Sequence, residues 1–417
     1  MAKASNIYGE NDAKEGRIST YNLNSIVPDI TDSILEVTGN LPYAYQTIVV
    51  NGVTRYQQLI RSELIANASV IGPNAALSSN DTLWMWGDNS YGQLGNNTTT
   101  NSSTPVSVGG NGGNKFNQIA TDGSTIVALR DDSIVLSWGL NTTGQVGDNS
   151  LSNRSSPVSI TVQNKYCNVS TNGNGSFYAL DIYGTAYSWG YNINGSLGNG
   201  SVNNSATQQG VLNLINKCIA INGSMALDTS NNCWSWGVNS LGQVGDNTVV
   251  NKSSAVAMVG VLGTGQQTIA ISKAYNFGLG LLKNGACYSF GDNGYGCLGD
   301  GTTTNRSSPV SVLVTSKLTQ IATGEYHALG LDVNGNIWAW GKNTTGQLGI
   351  GSTTPYSSPI TINSGAVKYV QIGAYKNSSS AIDVDGNVWV WGTLATGSSA
   401  SNPVSIKNLK ARLKKIY

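Results

Sequence analysis

The sequence predicts an all-β protein: a seven-bladed β-propeller preceded by a small N-terminal non-repeat attachment segment. Three observations lead there. An aromatic residue followed by glycine recurs at Trp86, Trp138, Trp189, Trp236, Phe290, Trp340 and Trp391, at intervals of 52, 51, 47, 54, 50 and 51 residues. All ten tryptophans hold either that position or the one two residues before it, the second set being Trp84, Trp234, Trp338 and Trp389. Each pair runs into a glycine-punctuated loop, and no helical period interrupts the repeat.

Residues 1–64 lie ahead of the repeat. Met1 to Arg17 is polar and reads as an arm. The stretch from about 47 to 56 reads as a hairpin, because Asn51-Gly52 accepts the positive φ angles of a tight turn between β-branched runs. From about 57 to 68 the spacing of Leu59, Ile60, Leu64 and Ile65 predicts a short helix. Some sixty residues make a weak core alone, so this segment is expected to pack on the propeller or on another chain.

Residues 65–417 form the repeat region, and the sixth repeat shows the pattern. Ala328 to Leu331 is a short strand, Asp332-Val333-Asn334-Gly335-Asn336 a turn, and Ile337 to Trp340 the next strand. Gly341 to Gly349 is a tight loop, and Ser357-Ser358-Pro359-Ile360-Thr361-Ile362 opens another strand, with proline where no ladder N–H is needed. Two aromatics two residues apart share one strand face and can bury against the neighbouring blade. Seven such sheets cover one another when closed into a ring. The C-terminal tail, 408–417, resembles the segment opening the sixth repeat, and is expected to supply a strand to the blade containing Trp86.

Composition narrows function. Charged residues make up 11% of the chain and the formal net charge is +1, with basic residues clustered only near the C-terminus. No basic patch exists in the body of the chain to displace counterions from nucleic acid. No run of apolar residues is long enough to span a membrane, and the N-terminus carries no signal peptide. The five cysteines form no metal-type cluster and read as buried, inert thiols, with Cys167 and Cys218 expected at equivalent positions of successive repeats.

Little catalytic chemistry is visible, and the expectation is no enzyme, no cofactor and no metal. His327, the single histidine, lies two residues from Glu325, but a hydrogen-bonded structural role fits it better than general-base work. The turns at Asp332 and Asp383 lack the downstream glutamate of a calcium loop. Asp148, Asp246 and Asp300, just after the last glycine of their loops, read as turn-capping carboxylates.

The motif Trp-Gly-x-Asn-x-x-Gly-Gln-Leu-Gly, complete at Trp86 to Gly95 and Trp340 to Gly349 and followed by Pro-Val-Ser-Val after the first, resembles the regulator of chromosome condensation family of seven-bladed propellers. Ser196 and Cys297 replace its glutamine, Phe290 replaces its tryptophan, and the last repeat loses the loop after Gly397. The resemblance, over about 67–417, implies an architecture. Exchange activity in that family relies on a protruding wedge, for which the even repeat spacing leaves no room.

The residue before the loop's second glycine changes between repeats, and rigid scaffolds present contact residues on such loops. Tyr91, Leu241 and Tyr295 from this position, with Tyr191 from the same loop of the third repeat, are the candidate partner-binding rim. The low charge, the abundance of Asn, Thr, Ser and Gly, and the non-repeat segment together predict a structural or host-attachment component of a bacteriophage virion. Residues 1–64 would dock on other virion proteins, and the propeller loops would face a host-surface receptor. The alternative is a cytoplasmic module that inhibits or regulates an enzyme or GTPase.

Overall fold

The computed structural model describes residues 44–50, 53–59, 74–77, 83–109, 116–264, 267–362, 365, 367–394 and 398–410. Its strands form a two-stranded hairpin, one three-stranded sheet and six four-stranded sheets, each built from consecutive strands. The hairpin is β1 (Ala44–Val50) and β2 (Val53–Leu59), paired antiparallel across Asn51-Gly52. This register sets Gln57 opposite Gln46 and Leu59 opposite Ala44. Residues 57–59, expected to begin a helix, therefore extend the hairpin, because ladder pairing outweighs a short apolar period; the rest of that expected helix lies outside the described residues.

The first blade contains β3 (Asn74–Leu77), β4 (Leu83–Gly87) and β5 (Ser102–Ser107). The second contains β6 (Phe116–Thr121), β7 (Thr125–Arg130), β8 (Val135–Gly139) and β9 (Arg154–Ser159), and the third β10 (Tyr166–Thr171), β11 (Ser176–Asp181), β12 (Ala186–Gly190) and β13 (Ser205–Gly210). The fourth has β14 (Cys218–Asn222), β15 (Met225–Asp228), β16 (Cys233–Gly237) and β17 (Lys252–Ala257), and the fifth β18 (Thr268–Lys273), β19 (Phe277–Leu282), β20 (Cys287–Gly291) and β21 (Arg306–Ser311). The sixth has β22 (Leu318–Thr323), β23 (His327–Asp332), β24 (Ile337–Gly341) and β25 (Tyr356–Thr361), and the seventh β26 (Tyr369–Tyr375), β27 (Ser378–Asp383), β28 (Asn387–Thr393) and β29 (Ser399–Lys410).

Aromatics placed two apart build the interfaces between blades. Trp138, Trp189, Trp236, Phe290, Trp340 and Trp391 are fully buried, each in a core cluster drawn from two adjacent blades. Burying an indole withdraws about 150–250 Å² from water, worth about 4–6 kcal/mol each before entropy. Trp338 and Trp389 pack half-buried against the same clusters as Trp340 and Trp391.

The loop motif latches each blade to the next. Gly144 has φ of +87°, and a Cβ there would lie 2.5 Å from the Cα of Ala206 on β13 of the following blade. At Gly147 a Cβ would stand 2.9 Å from the Trp189 indole. Only glycine permits that backbone conformation and that approach together. Between them, the Gln145 carbonyl accepts the Trp189 Nε1–H at 2.8 Å. The Trp138, Trp236, Trp340 and Trp391 indoles donate in the same way to the carbonyls of Gln93, Ser196, Cys297 and Gln347. Because the acceptor is main-chain, serine and cysteine at 196 and 297 leave the latch intact.

Ring closure brings Lys376, after β26, to the loop after β6, where its Nζ donates to the Asp122 carbonyl at 3.1 Å. Among the described residues β3 has no neighbour on its inner side. Residues 399–410 pair with β28 as the seventh blade's own outer strand, and the remainder of the tail expected to join the first blade, from 411 on, lies outside the described residues.

All five cysteines are free and buried, and burial pushes their thiols up, Cys233 to about 12. Cys167 and Cys218 share one core cluster but are offset by one position. Cys218 opens β14, whereas Cys167 is the second residue of β10, at its register shift.

Candidate functional site

In the four-stranded blades the second and third strands pair antiparallel, so that the start of the second lies beside the later part of the third, as Phe277 does with Gly291 and His327 with Gly341. The loop joining strands one and two therefore opens on the same face of the ring as the long loop joining strands three and four. The turns between strands two and three open on the opposite face.

The long loop is organised by one buried asparagine. Asn141 is completely buried; its Oδ1 accepts the Val146 N–H, and its Nδ2 donates to the carbonyls of Ser150 and Ser152. Asn153 in turn accepts the Asn141 N–H. Asn89, Asn192, Asn239, Asn293 and Asn343 make the corresponding carbonyl contacts in their own loops. A side-chain amide, with donors and an acceptor, thus satisfies the backbone of an irregular loop. Asp148, Asp246 and Asp300 cap the same loops, accepting the N–H groups of Ser150, Thr248 and Thr302, and pair with Arg154, Lys252 and Arg306. Burial alone would raise these carboxyls, but the hydroxyl hydrogen bonds and the adjacent cations hold them below the usual range.

On the opposite face, Asp332 and Asp383 hold hairpin turns. The Asp383 carboxylate accepts the N–H groups of Asp385 and Asn387 through one oxygen and the Trp389 indole through the other, at 2.8 Å. Asp228 and Trp234 repeat this pairing, as do Asp332 and Trp338. The second tryptophan phase therefore cinches the turn as well as packing the blade. Among the described residues no three His, Cys, Asp or Glu groups come together as a metal site.

His327 and Glu325 do not share a site. Glu325 is exposed, whereas His327 is completely buried, its Nε2 lying 2.8 Å from Ser379 Oγ of the seventh blade. Burial, and then the charge of Lys342, lower its pKa to about 3. The unfolded chain takes up this proton near 6.5 and the folded site resists it to about 3. The folded value is the lower, so the contribution to stability is complete above pH 6.5 and is lost as pH falls through that window. His327→Gln is expected to flatten the stability curve between pH 6.5 and 4, by up to about 1.4 kcal/mol per pH unit. Denaturation midpoints falling in parallel for variant and wild type would rule this out.

The four rim candidates stand on four blades, and no ring contact joins them. Tyr91 and Tyr295 are exposed at 39% and 42%, while Tyr191 and Leu241 are half-buried. Tyr295 meets Tyr326 edge-on with centroids 5.3 Å apart, and Lys342 Nζ lies 5.5 and 5.4 Å from the two rings. Tyr326, Tyr275, Asp122 and Lys376 come from the short loops after the innermost strands, whose lack of a repeated motif hid them in the sequence. These loops ring the mouth of a central cavity of about 290 Å³, walled by Ile119, Ile271, Ile321 and Ile372 of the inner strands. Asp122 accepts the Ser124 and Thr125 N–H groups; burial raises its carboxyl against those bonds and the Lys376 charge.

The sequence pattern described as "Regulator of chromosome condensation (RCC1) repeat" matches residues 80–129, 284–331 and 334–377. The chain is 34% identical over 116 residues to the Arabidopsis thaliana "RCC1 domain-containing protein RUG3, mitochondrial", an alignment covering 28% of this chain and 26% of that protein. In structure it is similar to human WBSCR16, with a TM-score of 0.69 and 18% identity over 78% of this chain and 94% of the other. It is also similar to Prp20p of Saccharomyces cerevisiae, with a TM-score of 0.66 and 21% identity over 84% and 89%. At these identities the structural likeness concerns the fold.

Proposed function

Because this chain belongs to the regulator of chromosome condensation repeat family, whose members are generally protein-interaction or regulatory modules, we propose that it is a non-enzymatic interaction protein whose loop face receives the partner. One observation carries the reading. The buried aromatics and the loop glycines are engaged in holding blades together and the loop asparagines in holding their own loops, whereas Tyr91 and Tyr295 stand exposed on the loop face. Exposed tyrosines on rigid loops lose little entropy on binding and make good anchors.

The finer reading is a virion component of a bacteriophage. Residues 1–64 mount the propeller on other virion proteins, and the loop face is turned to a host-surface receptor. Low charge and abundant Asn, Thr, Ser and Gly support it. The alternative is a cytoplasmic regulator of an enzyme or GTPase through the same face. Replacing Tyr91, Tyr191, Leu241 and Tyr295 together with serine is expected to leave the thermal midpoint within a few degrees and to remove the proteins cross-linked by the wild type. Unchanged cross-linking would reject the rim. Mass spectrometry of purified particles against soluble lysate separates the two settings. Enrichment in particles, lost on removing 1–64, fits the virion; an unassembled protein that still holds its partner after that truncation fits the regulator.

A further inference from the structure

The fifth blade breaks the latch described above. Its buried aromatic is Phe290, which has no N–H to offer the preceding blade, yet the carbonyl that an indole would serve, that of Gln243, is not left empty. It accepts Lys273 Nζ at 2.6 Å. Lys273 ends the innermost strand β18, is 4% exposed, and holds its amine 5.2 Å from the centre of the Phe290 ring. In the second, third and sixth blades, which keep tryptophan, the corresponding inner-strand residues are Thr121, Thr171 and Thr323.

The residue across the ladder has changed as well. Lys273 pairs with Gly278, where those three blades have Ile126, Phe177 and Ala328. A Cβ at 278 would lie 2.5 Å from Phe290 Cζ and 3.1 Å from Lys273 Cδ. The glycine thus vacates the space that the lysine stem crosses.

We infer that Lys273 stands in for the missing indole N–H, so that the fourth and fifth blades are latched by a single buried amine and the joint responds to that amine's protonation. Three positions on three strands form one unit: the phenyl ring fills part of the indole's volume, the lysine stem fills more, and Nζ reaches the carbonyl. The elements around the amine supply no opposing charge. β19 contributes Gly278, β20 Phe290, the fourth-blade loop the Gln243 carbonyl, and the end of β14 Asn222, whose side chain accepts the Lys273 N–H. Among the described residues Lys273 makes no ion pair. Burial alone lowers its pKa, from 10.5 to about 7. The folded value is again the lower, so the joint strengthens as pH rises from 7 and is weakest below 7, where the folded site must hold an ammonium. The buried Cys287 thiol, on the same blade, is raised by burial and opposes this trend near its ordinary value of 9. A comparison between variants that share it cancels that contribution.

The test is a double-mutant cycle with Lys273→Thr and Phe290→Trp, which together recreate the Thr323 and Trp340 arrangement of the sixth blade. Lys273→Thr alone is expected to lower the denaturation midpoint by leaving the Gln243 carbonyl without a donor. Adding Phe290→Trp is expected to restore it at pH 7, with strong non-additivity, and to give a new slowly exchanging indole N–H. The advantage of this double variant over the wild type should shrink as pH rises from 7 to 9, because only the wild type sheds a buried proton there. A harmless Lys273→Thr, a double variant no more stable than that single variant, or a gap independent of pH would each overturn the inference. Should Lys273→Thr fail to fold, the double variant and the wild type still decide it through the pH comparison.

Discussion

Replacing Trp340 with alanine is expected to cost about 3–5 kcal/mol, the range for truncating a fully buried large aromatic. Trp340 has no exposed surface and lies in a cluster with Phe277, Leu279, Leu298 and Val312, so its removal opens a cavity between the fifth and sixth blades. Gly299 stands against the indole with no side chain to move into the gap. Trp340→Phe separates the two parts of the interaction. It keeps most of the packed ring but strands the Cys297 carbonyl, and is expected to lose only about 1–3 kcal/mol, the penalty for one unmet buried acceptor. Denaturant midpoints should rank wild type above Trp340→Phe and Trp340→Phe above Trp340→Ala. Equal losses for the two variants would mean that packing contributes little and that the latch carries the interface.

Ending the chain at Lys410 is expected to have a comparable effect. Every complete blade has an innermost strand with a register shift after its first residue, which turns residues one and four to the same side. Phe116 with Ile119, Leu318 with Ile321 and Tyr369 with Ile372 show the resulting apolar spacing. Leu413 and Ile416 repeat it, in a tail that follows the outer strand of the last blade. The first blade is the one whose inner edge, β3, has no partner among the described residues. A propeller left open there exposes a row of unpaired backbone groups and the flank of β6. The truncated protein should unfold at a lower temperature and gain exchange-labile amides in 74–77 and 116–121. Replacing Leu413 and Ile416 with aspartate should reproduce the loss at full length. A truncation with an unchanged melting curve would exclude the tail from the ring.

Much of this was legible in the sequence, because the strongest signals repeat. The confinement of ten tryptophans to two phases announced a stacked sheet array, and Asn51-Gly52 announced the hairpin. The carboxylates after the loop glycines were readable as caps because an Asx turn is made within three residues. What stayed hidden depends on contacts between blades. That Gly144 must be glycine follows from the backbone of Ala206, 62 positions later, and no local rule contains that distance. The exchange of indole for lysine at Phe290 looked like a simple departure from the motif, since Lys273 and Gly278 acquire meaning only when β18, β19 and β20 lie side by side. The helix expected from 57 gave way at its start to the hairpin, whose partner strand lies upstream. The short loops at the cavity mouth carry Tyr275, Tyr326 and Lys376 without a shared motif, so only folding brings them beside the rim.

If the tryptophans join blades rather than meet a partner, their indole N–H groups are shielded in the folded protein. Hydrogen exchange of the ten indole N–H groups, read residue by residue in ¹H–¹⁵N spectra of the intact protein, measures that shielding. Trp138, Trp189, Trp236, Trp340 and Trp391 are expected to exchange only with global unfolding, Trp234, Trp338 and Trp389 to be slowed by their turn carboxylates, and Trp84, 37% exposed, to exchange fastest of these nine. Exchange of the first five at the rate of Trp84 would contradict their role between blades.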